Sequence, residues 1–174
     1  MSVDEIRPAL FDYIKSAPDG GFEIWHGLDR PLALDALSTR QRGKIQSGLI
    51  CAYSGQPLAA ITAIERAMRL DPAWSQQYLH FLGTAYLLAG KYETAAALLR
   101  QRVLLVPGTD LTRAILASAL GHLGEIDEAR RVWRELKEIN PKYSFRKHFS
   151  RQPFKREEDV QRIAEGLAKA RLPT

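Results

Sequence analysis

Four histidines, His26, His80, His122 and His148, and a single cysteine, Cys51, are the side chains of this 174-residue chain best suited to ligate a metal or attack an electrophile. A zinc site gathers several such ligands at short, recognisable spacings, and none of these histidines stands in a metal-ligand motif with another His, Cys or acid. Cys51 falls at a packed helical position, where a thiol serves as an inert small hydrophobe. Ser, His and Asp all occur, but nothing around them gives the context of a catalytic triad. The glycines are dispersed, and the one adjacent pair, Gly20-Gly21, follows Pro18-Asp19 in a turn, so there is neither a phosphate loop nor a dinucleotide fingerprint. These residues specify no metal, no cofactor and no catalytic group, and the chain is expected not to be an enzyme.

The remaining chemically distinctive residues are cationic. The stretch 142–156 holds Lys142, Arg146, Lys147, Arg151, Lys155 and Arg156 with no acid, interleaved with Tyr143, Phe145, Phe149 and Phe154. Cations on phosphates and rings on bases would make a nucleic-acid surface. The stronger reading is that Phe145 and Phe149, four apart, share a helical face that packs onto Trp133, while the charges stay solvated or meet an acidic protein. Net charge is +5, and it is uneven: residues 1–99 hold 9 Lys/Arg against 10 Asp/Glu, and residues 100–174 hold 16 against 10. The excess therefore belongs to the C-terminal half.

The elements that must position these residues emerge when the chain is laid over itself. Gly55-Gln56-Pro57-Leu58-Ala59-Ala60, Gly90-Lys91-Tyr92-Glu93-Thr94-Ala95 and Gly124-Glu125-Ile126-Asp127-Glu128-Ala129 superpose at intervals of 35 and 34, and Pro72, Pro107 and Pro141 follow at the same intervals. That period is that of a helix-turn-helix repeat. Glycine ends the first helix in a left-handed cap, alanine lets the two helices approach, and proline ends the second. Between these marks apolar residues recur at helical spacing, as in Leu79, Leu82, Tyr86 and Ala89, then Ala95, Leu98, Leu99 and Val103. No such pair buries its stripe alone, so the pairs must stack. The pattern predicts an all-α solenoid with repeats at 41–75, 76–109 and 110–143, an N-terminal helical cap over 1–40 and C-terminal capping helices over 144–174.

Leu82-Gly83, Tyr86, Gly90, Tyr92, Ala95 and Pro107 match the tetratricopeptide pattern at its offsets, and the chain resembles that repeat family. Repeat one keeps Gly48 but has Cys51 at the aromatic position, and repeat three has Ala117 and Leu120 there and adds Trp133. Residues 60–173, with Gln77–Gly83, Pro107-Gly108-Thr109-Asp110, Gln152-Pro153-Phe154-Lys155 and Ile163–Ala170, look like the C-terminal repeat region of bacterial class III adenylate/guanylate cyclases and winged-helix regulators. That likeness implies a bacterial origin and a regulatory or scaffolding setting. It brings no catalysis, because the cyclase domain would lie outside this chain.

The resemblance implies a right-handed superhelix whose concave face is lined by first helices. By register these present Arg42, Gln46, Leu49 and Tyr53, then Gln77, His80, Phe81, Thr84 and Leu88, then Ser118 and His122, among the apolar Ile45, Leu111, Ala114 and Ile115. Chaperone-binding relatives hold a peptide's terminal carboxylate with Lys, Asn and Arg; here the matching places carry Ile45, Leu49, Phe81, Leu111 and Ile115. The expected ligand is therefore a helix or an extended apolar segment of a protein partner. The alternatives are a groove filled by the chain's own flanks or by a second copy, and a self-associating tail of a cyclase or transcription regulator. At the N-terminus, Ile6, Leu10 and Ile14 predict a helix ending near Ala17, broken by Pro18–Gly21, with a second short helix from Asp29. At the C-terminus, Glu157-Glu158-Asp159 opens a helix with Val160, Ile163, Ala164 and Leu167 on one face. With a lone cysteine, no apolar signal core and no run of about eighteen apolar residues, the chain reads as cytoplasmic and without membrane contact.

Overall fold

The computed structural model describes residues 15–16, 22–23, 51–70 and 76–174. Residues 51–53 are helical, and after them come α1 (Pro57–Leu70), α2 (Gln77–Leu88), α3 (Tyr92–Leu105), α4 (Asp110–Leu123), α5 (Ile126–Ile139), the short α6 (Phe145–Phe149) and α7 (Glu157–Lys169). A two-residue antiparallel ladder near the N-terminus joins β1 (Lys15–Ser16) to β2 (Phe22–Glu23), with Lys15 opposite Glu23 and Ser16 opposite Phe22. The helix expected to end near Ala17 is corrected there. Lys15 and Ser16 are extended, because Glu23 and Phe22 offer them an antiparallel strand partner in place of helical hydrogen bonds. The rest of the expected N-terminal cap, and residues 41–50, lie outside the described residues.

The periodic glycines do one backbone job three times. Gly55, Gly90 and Gly124 have φ of 78°, 76° and 79°, in the left-handed region. Each closes its helix with paired bonds: Gly90 N–H to Leu87 O and Lys91 N–H to Tyr86 O at 2.9 Å, and Gly124 N–H to Gly121 O at 3.3 Å with Glu125 N–H to Leu120 O at 3.0 Å. Gln56 N–H to Cys51 O at 3.0 Å repeats the longer bond. Orphan carbonyls at each helix end are thereby satisfied while the chain turns back. Ala60, Ala95 and Ala129 are fully buried where the returning helix meets its partner.

Pro107 and Pro141 stand in matching reverse turns, and Pro72 lies outside the described residues. After α3, Val106 N–H bonds Arg102 O at 2.9 Å and Thr109 N–H bonds Val106 O at 3.2 Å; thirty-four residues on, Asn140 and Tyr143 do the same with Leu136 and Asn140. Asn140 Nδ2 donates to Asp110 Oδ2 at 2.7 Å, tying one turn to the next. Arg113, buried, donates to the carbonyls of Pro107 and Thr109 at 2.6 and 2.7 Å.

α1 packs on α2, α2 on α3, α3 on α4 and α4 on α5, as stacked helix pairs must. One helix departs from the amphipathic pattern of an open stack: every residue of α4 from Asp110 to Gly121 is buried. Its fourth side is covered by α7, which also touches α2. The main core therefore runs from Leu87 in α2 through Leu120 and Leu136 to Ile163 and Leu167 in α7, and a smaller one joins Ala60, Ile64 and Ala67 of α1 to Tyr78, Phe81 and Leu82 of α2.

Candidate functional site

The groove residues expected on α2 and α4 are arranged as a polar seam within an apolar wall. Thr109 Oγ1 donates to Thr112 Oγ1 at 3.0 Å, and the Thr112 hydroxyl lies 3.1 Å from His80 Nδ1. Thr84 Oγ1 donates to the His80 carbonyl at 2.8 Å, one turn back. Gln77 Oε1 accepts from Arg102 Nη2 at 2.9 Å. Arg102 is buried, its Nε and Nη1 have no hydrogen-bond partner among the described residues, and desolvation lowers its pKa. Phe81 and Leu88 are buried. Arg42, Gln46 and Leu49 lie outside the described residues.

The groove is not empty: the chain after Pro141 lies along it. α6 is capped by Ser144 Oγ, which accepts from Lys147 N–H at 3.3 Å, and it buries Phe145 and Phe149, stacked at 4.4 Å. Tyr143 sits edge-on to Trp133 at 5.8 Å. The chain then crosses to the far end of the described stack. Tyr53 OH donates to Gln152 Oε1 at 3.0 Å, Lys155 N–H donates to Tyr53 O at 2.9 Å, and the Tyr53 and Phe154 rings meet edge-to-face at 4.9 Å. α7 returns along α4. Arg162 Nη1 donates to Leu88 O at 2.8 Å, Ser118 Oγ donates to Ile163 O at 2.8 Å, and His122 Nε2 lies 2.8 Å from Arg162 O, to which it donates. At the crossing a β-carbon on Gly121 would overlap the carbonyl of Gly166, and one on Gly166 would overlap Ser118. What remains between α2, α4 and this segment is an apolar cavity of about 30 Å³ beside Phe81, Ile115, Phe149 and Phe154.

Two histidines are held neutral by this packing. Burial drives the His148 pKa down to about 4, with Arg151 adding to the drop and Asp110 opposing it. His122 stacks on Tyr92 at 4.1 Å and is also depressed, first by burial, against the bond to the Arg162 carbonyl, and further by Lys169, whose Nζ donates to Nδ1 at 3.2 Å. Burial raises the Cys51 thiol. Among the described residues no three His, Cys, Asp or Glu converge as a metal site.

The basic stretch divides by side. Tyr143, Phe145, His148 and Phe149 are buried, whereas Lys142, Arg146, Lys147, Arg151, Lys155 and Arg156 are exposed. Tyr143, Phe145 and Phe149 thus offer no open face to a base, and Phe154 is half-buried. Sequence reasoning missed Gly121, Arg162 and Gly166 as the residues that seat α7. Two glycines inside helical patterns were the available signal, since such a glycine costs about 1 kcal/mol against alanine and needs a packing reason.

The anaphase-promoting complex, cyclosome, subunit 3 family model matches residues 56–136. No curated protein matches significantly. Among solved structures, the Sgt2 TPR domain from Aspergillus fumigatus is 16% identical with a TM-score of 0.58, over 82% of this chain and 83% of that one. MamA is 19% identical with a TM-score of 0.58, over 98% and 96%. The second TPR domain of human RPAP3, in complex with the HSP70 peptide SGPTIEEVD, is 20% identical with a TM-score of 0.52, over 72% and 97%. With the left-handed glycines and stacked pairs described above, these matches give the chain the fold of a tetratricopeptide-like α-solenoid.

Proposed function

We propose that the chain is a non-catalytic protein-interaction module whose concave groove recognises a helix, and that in the form described here the groove holds the chain's own α7. The observation that carries this reading is the grip of α4 on α7. Ser118 and His122, one turn apart, donate to the consecutive main-chain carbonyls of Ile163 and Arg162, and Gly121 admits the backbone at Gly166. Contacts of this kind read a helical backbone and one small residue, and are indifferent to most other side chains. A partner helix with glycine at the crossing satisfies them as α7 does. His80, Thr84, Thr109 and Thr112 of the seam are engaged in structural hydrogen bonds, which favours binding over catalysis. The RPAP3 domain in complex with a peptide supports the interaction role in general. Phe81, Leu111 and Ile115 at the clamp positions argue for a helix over a carboxylate-led tail. A second copy of the chain presents the same α7, and sedimentation over a concentration series separates that self-associating case from a distinct partner.

The test uses a labelled peptide of residues 157–174 against the full chain and against its Gly166→Leu variant, in which the new side chain collides with Ser118 and His122 and unseats the tethered helix. The variant should bind the peptide at least about tenfold more tightly than the wild type, where the tethered copy competes at high effective concentration. A folded variant that leaves the peptide unbound overturns the reading.

A further inference from the structure

The outward side of the segment that fills the groove has a chemistry of its own. Lys142, Arg146, Lys147 and Arg151 are all exposed, and among the described residues no carboxylate lies within ion-pair distance of any of them. Four other cations of this half are ion-paired, Arg100 with Glu125 and Glu128, Arg113 with Glu135, Arg131 with Glu128 and Glu135, and Arg156 with Glu158, while Arg130, Lys137 and Arg162 donate to main-chain carbonyls. The four also stand on a firm base. Phe145, His148 and Phe149 anchor α6 from beneath, Ser144 caps it, and Lys137 Nζ donates to the carbonyls of Pro141 and Tyr143 at 2.6 and 3.1 Å, fixing the turn that carries Lys142. Like charges held together without counter-charges raise the local potential and await an anionic partner.

The character of that partner follows from what accompanies the charges. A single-stranded nucleic acid needs exposed rings on which bases stack, and Tyr143, Phe145 and Phe149 are buried. Ile139, the last residue of α5, is 41% exposed beside the turn to Lys142, an apolar spot that a phosphate backbone cannot use and a peptide side chain can. We infer that the outer face of α6, with Lys142, Arg151 and Ile139, docks an acidic protein segment that carries an apolar residue. The inference is independent of whether the concave groove binds a partner helix.

The full chain is titrated at low and physiological salt with a fluorescent peptide of alternating Glu and Leu, with a 20-base-pair DNA duplex, and with vesicles of phosphatidylserine and phosphatidylcholine. Arg146→Glu with Lys147→Glu is compared with Arg66→Glu with Arg69→Glu, an equal charge change on the exposed side of α1. The acidic peptide should bind in preference to duplex and vesicle and weaken with salt. The α6 pair should lose at least about tenfold in affinity and instead bind a Lys and Leu peptide, while the α1 pair stays within about twofold. Equal losses in both pairs, tighter binding of duplex or vesicle, or no peptide binding at low salt would each overturn it.

Discussion

Gly121 of α4 and Gly166 of α7 face each other so closely that neither position has room for a β-carbon. Alanine normally stabilises a helix interior by about 1 kcal/mol over glycine. Here the sign should reverse, with Gly121→Ala and Gly166→Ala each losing about 1–3 kcal/mol as the helices are forced apart. Urea denaturation measures it, and a gain in either variant would show that α7 does not sit on α4 as described.

Ser118→Ala removes a donor to a carbonyl that α7 already uses for its own helix. The expected loss is about 1 kcal/mol, and it should be local. Hydrogen exchange should accelerate in α7 and leave α2 and α3 unchanged; uniform acceleration would assign Ser118 to the general core.

Acid should loosen the segment in the groove. His148 titrates at about 4 in the fold against 6.5 free, so the folded state resists a proton that the unfolded state accepts. Its contribution is fully present above about pH 6.5 and is lost as pH falls toward 4, amounting to about 2 kcal/mol by pH 5. His122, also depressed, acts in the same direction. Asp110 opposes and Arg151 reinforces the His148 shift, so stability measured from pH 7.5 to 4.5 should fall less steeply in His148→Gln. Identical slopes for variant and wild type would remove His148 from the account.

Gly124 and Gly108 form a matched pair. Neither would place a β-carbon near another atom, but only Gly124 has a positive φ, 79°. Gly124→Ala should therefore lose about 1–2 kcal/mol from backbone strain alone, and Gly108→Ala should be neutral or gain about 0.5 kcal/mol. Thermal melts of the two variants decide it.

The solenoid was legible because its punctuation is local. Gly90 turns left-handed and Ala95 is buried for reasons contained within a few residues of each, so spacing alone revealed them. Phe145 and Phe149 were also readable, being four apart on one short helix. The groove was less so. His122 and Ser118 were placed on the concave face by register, but their partners, Arg162 O and Ile163 O, lie some forty residues away, and no periodicity encodes that pairing. The N-terminal helix expected to end near Ala17 failed at Lys15 and Ser16 because a nearby strand partner outweighed local apolar spacing.

Tyr53 and Lys155 meet across about a hundred positions of chain. In an open repeat array each unit answers only to its neighbours, so such arrays melt from their ends and fold from any point. Here the last elements are fastened to the helix end at Tyr53 as well as to α2 and α4, turning a row of dominoes into a closed ring. The expected result is a single sharp unfolding transition with no frayed intermediate, reached through slower folding, since this long closure must be made before the stack is complete.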